Sequence, residues 1–126
     1  MITVSPEKDI ETIKKFFADS GFDFREDSGV VSAKTGDGLL GYCLYYLDKK
    51  RMEILKLFPT DDIALADGIL RSTIHVACER FVMDIRYNEL TDPEIFKKLD
   101  FIKDGSERAL NADKLFGGCH CKSGGV

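Results

Sequence analysis

Apolar positions switch between two spacings along this chain, and each switch predicts an element. Met1–Val4 is short, apolar and β-branched, the mark of a strand. Ser5 and Pro6 predict a helix start, with Ser as N-cap and Pro at the first helical position. Ile10, Ile13, Phe16 and Phe17 follow at helical spacing, and Gly21 predicts the stop. Val30 to Lys34 reads as a strand, and Thr35-Gly36-Asp37-Gly38 as a turn. Leu39 to Leu47 is apolar at both phases, which predicts a central strand buried on both faces. The charged turn Asp48-Lys49-Lys50 leads to a third strand, Arg51 to Phe58, stopped by Pro59. Strands joined by such short turns are antiparallel neighbours.

Thr60 then predicts an N-cap, with Asp61 and Asp62 in the first turn, where acids suit the helix dipole. Ile63, Ala66, Ile69, Leu70, Ile74 and Ala77 give a wide apolar stripe over roughly five to six turns. Val82 to Arg86 reads as another strand. Thr91 to Leu99 reads as a short helix capped by Asp92. Phe101 and Ile102 open a further strand, and Arg108 to Phe116 predicts a last one. Gly117–Val126 carries four glycines and no core pattern, so residues 1–116 form the expected domain and 117–126 a flexible tail. The order predicts an α/β (α+β) fold with a mixed, mostly antiparallel sheet flanked by about three helices.

A chain of 126 residues is one domain's worth. Its 44% apolar and 32% charged residues are an ordinary globular balance. Lys plus Arg is 18 and Asp plus Glu is 22, a net charge of −4, with no basic cluster. That disfavours a nucleic-acid backbone and an anionic membrane as partners. Leu39 to Leu47 is far too short to span a bilayer. Neither a signal peptide nor a regular cysteine framework is visible, so the expected compartment is the cytoplasm and the expected thiols are reduced.

Two stretches resemble the GNAT superfamily of acyl-CoA N-acyltransferases. Glu94-Ile95-Phe96-Lys97-Lys98-Leu99-Asp100-Phe101 is similar to that family's late helix-to-strand motif. The strand Ile54 to Phe58, Pro59 and the long helix ending Ala77-Cys78-Glu79-Arg80-Phe81 resemble its acyl-CoA-binding strand and helix. The resemblance covers Met1 to about Leu115. It implies acetyl-CoA or another acyl-CoA as donor and a small-molecule amine as acceptor. It also implies pantetheine on the strand end at Leu57 and Phe58. Pyrophosphate would rest on the helix start at Ile63, Ala64, Leu65 and Ala66, with Asn88 as a further cofactor contact. A helix N-terminus suits an anion because its first amides lack intrahelical acceptors.

Glu53 occupies the strand position where the resemblance puts a general base. A carboxylate near an ammonium can take its proton. Tyr45 is the candidate acid, because Phe96 stands where the family often has a Tyr and has no proton to give. The family's phosphate loop is rich in glycine and amide or cation, whereas this chain has Asp61, Asp62 and Ala64. That departure supports a second expectation, a GNAT-like binding module that has lost CoA. In the tail, Cys119, His120 and Cys121 are soft ligands suited to zinc, and a homodimer could pool two such tails.

Overall fold

The structure, a computed structural model, describes residues 2–36, 38–89, 91, 93–99 and 110. The tail with Cys119, His120 and Cys121, the expected cap Asp92 and the strand opening at Phe101 lie outside the described residues. Five strands run in sheet order β1 (Thr3–Pro6), β2 (Ser28–Thr35), β3 (Gly38–Leu47), β4 (Arg51–Phe58) and β5 (Asp84–Tyr87). The first three pairings are antiparallel and β4–β5 is parallel. Helix α1 (Ile10–Ser20) packs on one face of the sheet and α2 (Ile63–Glu79) on the other, while α3 (Glu94–Lys98) follows β5. This is the mixed α/β architecture that the sequence predicts. β3 is the central strand, and Cys43 and Leu44 are both 0% exposed although they face opposite sides.

The two faces hold different cores. On the α2 side, Met52, Ile54, Ile69, Leu70, Ile74 and Phe96 belong to one large buried cluster. On the α1 side only Ile13, Phe17, Val30, Leu44 and Leu55 are buried together. Glycines 29 and 41 let the α2 side close up. A Cβ on Gly41 would lie 2.5 Å from the Phe58 carbonyl oxygen, and one on Gly29 would lie 2.4 Å from the Tyr45 ring.

Several element ends differ from expectation. Ser5 and Pro6 do not start a helix; they end β1, paired with Ser32 and Val31. β1 is an edge strand, where the missing proline N–H costs little. The α1 N-cap is Asp9, whose carboxylate accepts from Thr12 Oγ1 at 2.7 Å. Gly21 ends α1 in the left-handed region with φ 79°, as its position predicts. The α2 cap is Asp62, not Thr60; the side chain of Asp62 accepts from the Leu65 N–H at 3.1 Å. α2 therefore has 17 residues, somewhat short of the five to six turns expected. Leu110 donates its N–H to the Ile85 carbonyl at 2.9 Å and so extends the hydrogen bonding of β5.

Candidate functional site

The site is built on a break in β4. Tyr45 pairs with Ile54, but the preceding residue Leu44 pairs with Lys56, so Leu55 is an extra residue on β4. Such a bulge bends a strand and shifts its alternation by one. Leu55 accordingly joins the α1-side cluster, while Leu57 joins the α2-side core. The parallel ladder to β5 stops at the same point, at Ile54↔Tyr87. Beyond it, Asn88 N–H takes the Ile54 carbonyl at 2.8 Å. Thr91 Oγ1 donates to the Leu55 carbonyl at 2.8 Å. From there β4 and the chain after β5 diverge. A cleft of about 290 Å³ opens between them, lined by Ser20, Phe22, Leu55, Lys56, Leu57, Thr60, Thr91 and Ile95.

Glu53 and Asn88 come together. Asn88 Nδ2 donates to Glu53 Oε2 at 2.7 Å, which fixes the carboxylate one alternation upstream of the bulge. Tyr46, the cross-strand neighbour of Glu53, donates its hydroxyl to the Asp23 carbonyl at 2.6 Å and lies under the Arg25 guanidinium. Tyr45 does not join them. Its side chain belongs to the α2-side core, across the sheet from Glu53, and burial pushes its phenol up to about 12. Phe96 is fully buried and stacked on Tyr87 with ring centroids 5.0 Å apart, so it is a core residue.

Of the strand-end residues, Leu57 lines the cleft, and Phe58 is 48% exposed and stacks on Tyr42. At the α2 start, Ile63 and Ala64 are exposed and Ala66 is buried. The Leu65 amide is held by the Asp62 side chain, and the Ala66 amide by the Asp62 carbonyl at 2.9 Å. Asp62 thus occupies half of the expected anion cradle, and only the Ile63 and Ala64 amides keep their outward role. Asp61 is exposed.

Among the described residues, no group of three or more His, Cys, Asp or Glu side chains could hold a metal ion. His75 is exposed, 3.8 Å from Glu79. Cys43 and Cys78 are buried, and burial pushes the Cys43 thiol up to about 12. No described helix is long and apolar enough to cross a membrane. Thr91, Ser20 and Lys56 are site residues that the sequence pattern did not single out. Only Lys56 leaves a trace, as the one charge in the apolar run Ile54 to Phe58.

Ribosomal-protein-alanine N-acetyltransferase from Brucella melitensis biovar Abortus 2308 superposes over 84% of this chain and 93% of its own, with a TM-score of 0.58 and 11% identity. The fold is that of the GNAT acetyltransferases. A Vibrio cholerae integron cassette protein matches 85% of this chain and 87% of its own at TM-score 0.55 and 16% identity. A GNAT family acetyltransferase from Elizabethkingia anophelis, solved with acetyl-CoA bound, matches 68% of this chain at TM-score 0.48 and 15% identity. This chain spans 63% of the length of that last protein. No protein-family model and no curated protein sequence matches the chain. The likeness is carried by the backbone, at 11% to 16% sequence identity.

Proposed function

We propose that this chain is a small GNAT-like N-acyltransferase that moves an acetyl or other acyl group from acyl-CoA to an amine in the cytoplasm. The observation that carries this reading is the bulge at Leu55, where β4 leaves β5 and opens the cleft. A strand edge freed from its ladder offers backbone donors and acceptors to an extended ligand, and the pantetheine arm is such a ligand. The acyl-CoA substrate supplies a thioester carbonyl for attack and a thiolate that departs. A backbone N–H at the Leu57–Phe58 strand end, on the edge turned away from β3, orients and polarises that carbonyl. Glu53, held by Asn88, takes the proton of the incoming ammonium, so that a neutral nitrogen forms the C–N bond as the C–S bond breaks. Neither Phe96 nor Tyr45 faces this cleft as an acid, so water takes the second proton from the acylated nitrogen and passes one to the departing thiolate.

Release of free thiol from acetyl-CoA across a panel of primary amines tests the reading. Wild type is expected to turn over at least one amine. Glu53→Gln is expected to lower kcat by about 10²-fold or more at neutral pH, the usual worth of a general base. An unchanged kcat in Glu53→Gln would remove Glu53 from the mechanism. Absence of thiol release with every amine would overturn the transferase reading.

The Asp62 cap favours a second reading. A carboxylate already seated on the α2 amides competes with a pyrophosphate. On this reading the chain is a GNAT-like binding module, and Cys119, His120 and Cys121 hold zinc, alone or pooled in a homodimer. Stoichiometric metal in protein that binds no acyl-CoA, lost in Cys119→Ala and Cys121→Ala, would favour it.

A further inference from the structure

We infer that Lys56 is a specificity-determining residue that selects acceptor amines carrying a carboxylate, namely small α- and ω-amino acids. The inference rests on the acyltransferase reading above and names the substrate class of that site. Among the described residues, Lys56 is the one cation in the lining of the cleft. Its stem is half-buried, and its ammonium stands 5.5 Å from the centre of the Tyr42 ring. No described acidic side chain forms an ion pair with it. The extra residue at Leu55 accounts for its direction. Without the bulge, Lys56 would alternate onto the α2 core; with it, Leu55 and Lys56 both turn to the α1 side.

On that same side, one alternation upstream of Leu55, stands Glu53. Because Leu55 is the extra residue, Glu53 and Lys56 stand opposite Tyr46 and Leu44, two residues apart on β3, a span of roughly 7 Å. An anion-seeking ammonium and a proton-seeking carboxylate therefore stand along one strand face, separated by about the length of a small zwitterion. An amino acid laid along β4 meets Glu53 with its amine and Lys56 with its carboxylate. The Ser20 and Thr60 hydroxyls lie in the same lining and can share that carboxylate. A neutral amine leaves Lys56 without a counter-ion, and a diamine is repelled by it, so the discrimination is partly against the wrong partner.

Matched acceptors test the inference: glycine against glycinamide and β-alanine against β-alaninamide, with acetyl-CoA as donor. In wild type the KM of each acid is expected at least tenfold below that of its amide, the gap narrowing with added salt. Lys56→Met is expected to raise the KM of the acids about tenfold more than that of the amides, so that the acid preference disappears. Lys56→Arg keeps the preference, and Lys56→Glu reverses it. Equal KM values for acid and amide in wild type would overturn the inference. So would a Lys56→Met loss shared equally by acids and amides, which marks a structural role. Either result leaves the transferase reading standing, since neutral amines are still acylated. Failure of wild type both to bind acetyl-CoA and to acylate any amine overturns the two together.

Discussion

The two faces of the sheet solve different problems. The α2 face is apolar from β2 to β5, and α2 lays Ala66, Ile69, Leu70 and Ile74 on it, all at 0% to 1% exposure. The α1 face buries five residues and then gives way to half-exposed aromatics, Phe16, Tyr42 and Tyr46, and to the charged pair of positions Glu53 and Lys56. One strand, β4, serves both faces because the bulge at Leu55 moves its side chains across between Ile54 and Leu57. The larger buried core lies on one side and the candidate site on the other. A substitution should therefore reveal its face by what it damages.

The largest effect is expected on the α2 face. Leu70→Ala removes a fully buried side chain and should cost about 2–5 kcal/mol, read as a lower urea midpoint. Phe16→Ala, on the half-buried α1 side, should cost clearly less, because part of that ring already meets solvent. Equal losses would break the contrast.

Asp62 lies where the two roles meet. Its removal in Asp62→Ala should cost about 1 kcal/mol of stability through the lost cap. Asp62→Asn keeps a cap but drops the charge, and should strengthen acetyl-CoA binding by about fivefold, the worth of relieving about 1 kcal/mol of repulsion. Weaker binding in Asp62→Asn, measured by calorimetry, would mean that the carboxylate does not oppose the ligand.

The smallest effect is electrostatic and sits far from the cleft, where β1 meets β2. Burial pushes the Glu7 carboxyl up, but hydrogen bonds from Lys34 and Ser32 outweigh it and hold the group below its ordinary 4.5. The sign follows: a depressed folded value stabilises above the unfolded value. That stabilisation is lost as pH falls below about 4.5 and through the folded value. Wild type should lose stability over that range, and Glu7→Gln should show a flatter acid limb with the cleft's ligand affinity unchanged.

Much of this contrast was written in the sequence. The unbroken run Leu39 to Leu47 and the wide stripe of α2 announced a central strand and a buried helix, because burial on both sides leaves no polar phase. Alternation alone puts Tyr42 and Tyr46 on one face of β3 and Tyr45 on the other. Three features were hidden. Pro6 looks like a helix start until its partner on β2 is known. Thr60, Asp61 and Asp62 are all good caps, and only packing of the stripe selects Asp62. The bulge at Leu55 has no sequence mark, because Ile54-Leu55-Lys56-Leu57-Phe58 satisfies several registers, and the pairing with β3 decides among them. Thr91 became part of the site through that same unpredictable divergence, since its hydroxyl finds the carbonyl that the bulge exposes.

Calorimetric titration of the wild-type chain with acetyl-CoA, beside desulfo-CoA, tests the central claim most directly, namely that the opening of β4 at Leu55 is an acyl-CoA cleft. The account predicts saturable binding of both in the micromolar range, about −8 kcal/mol. Absence of binding up to millimolar ligand, in protein that melts cooperatively, would contradict it.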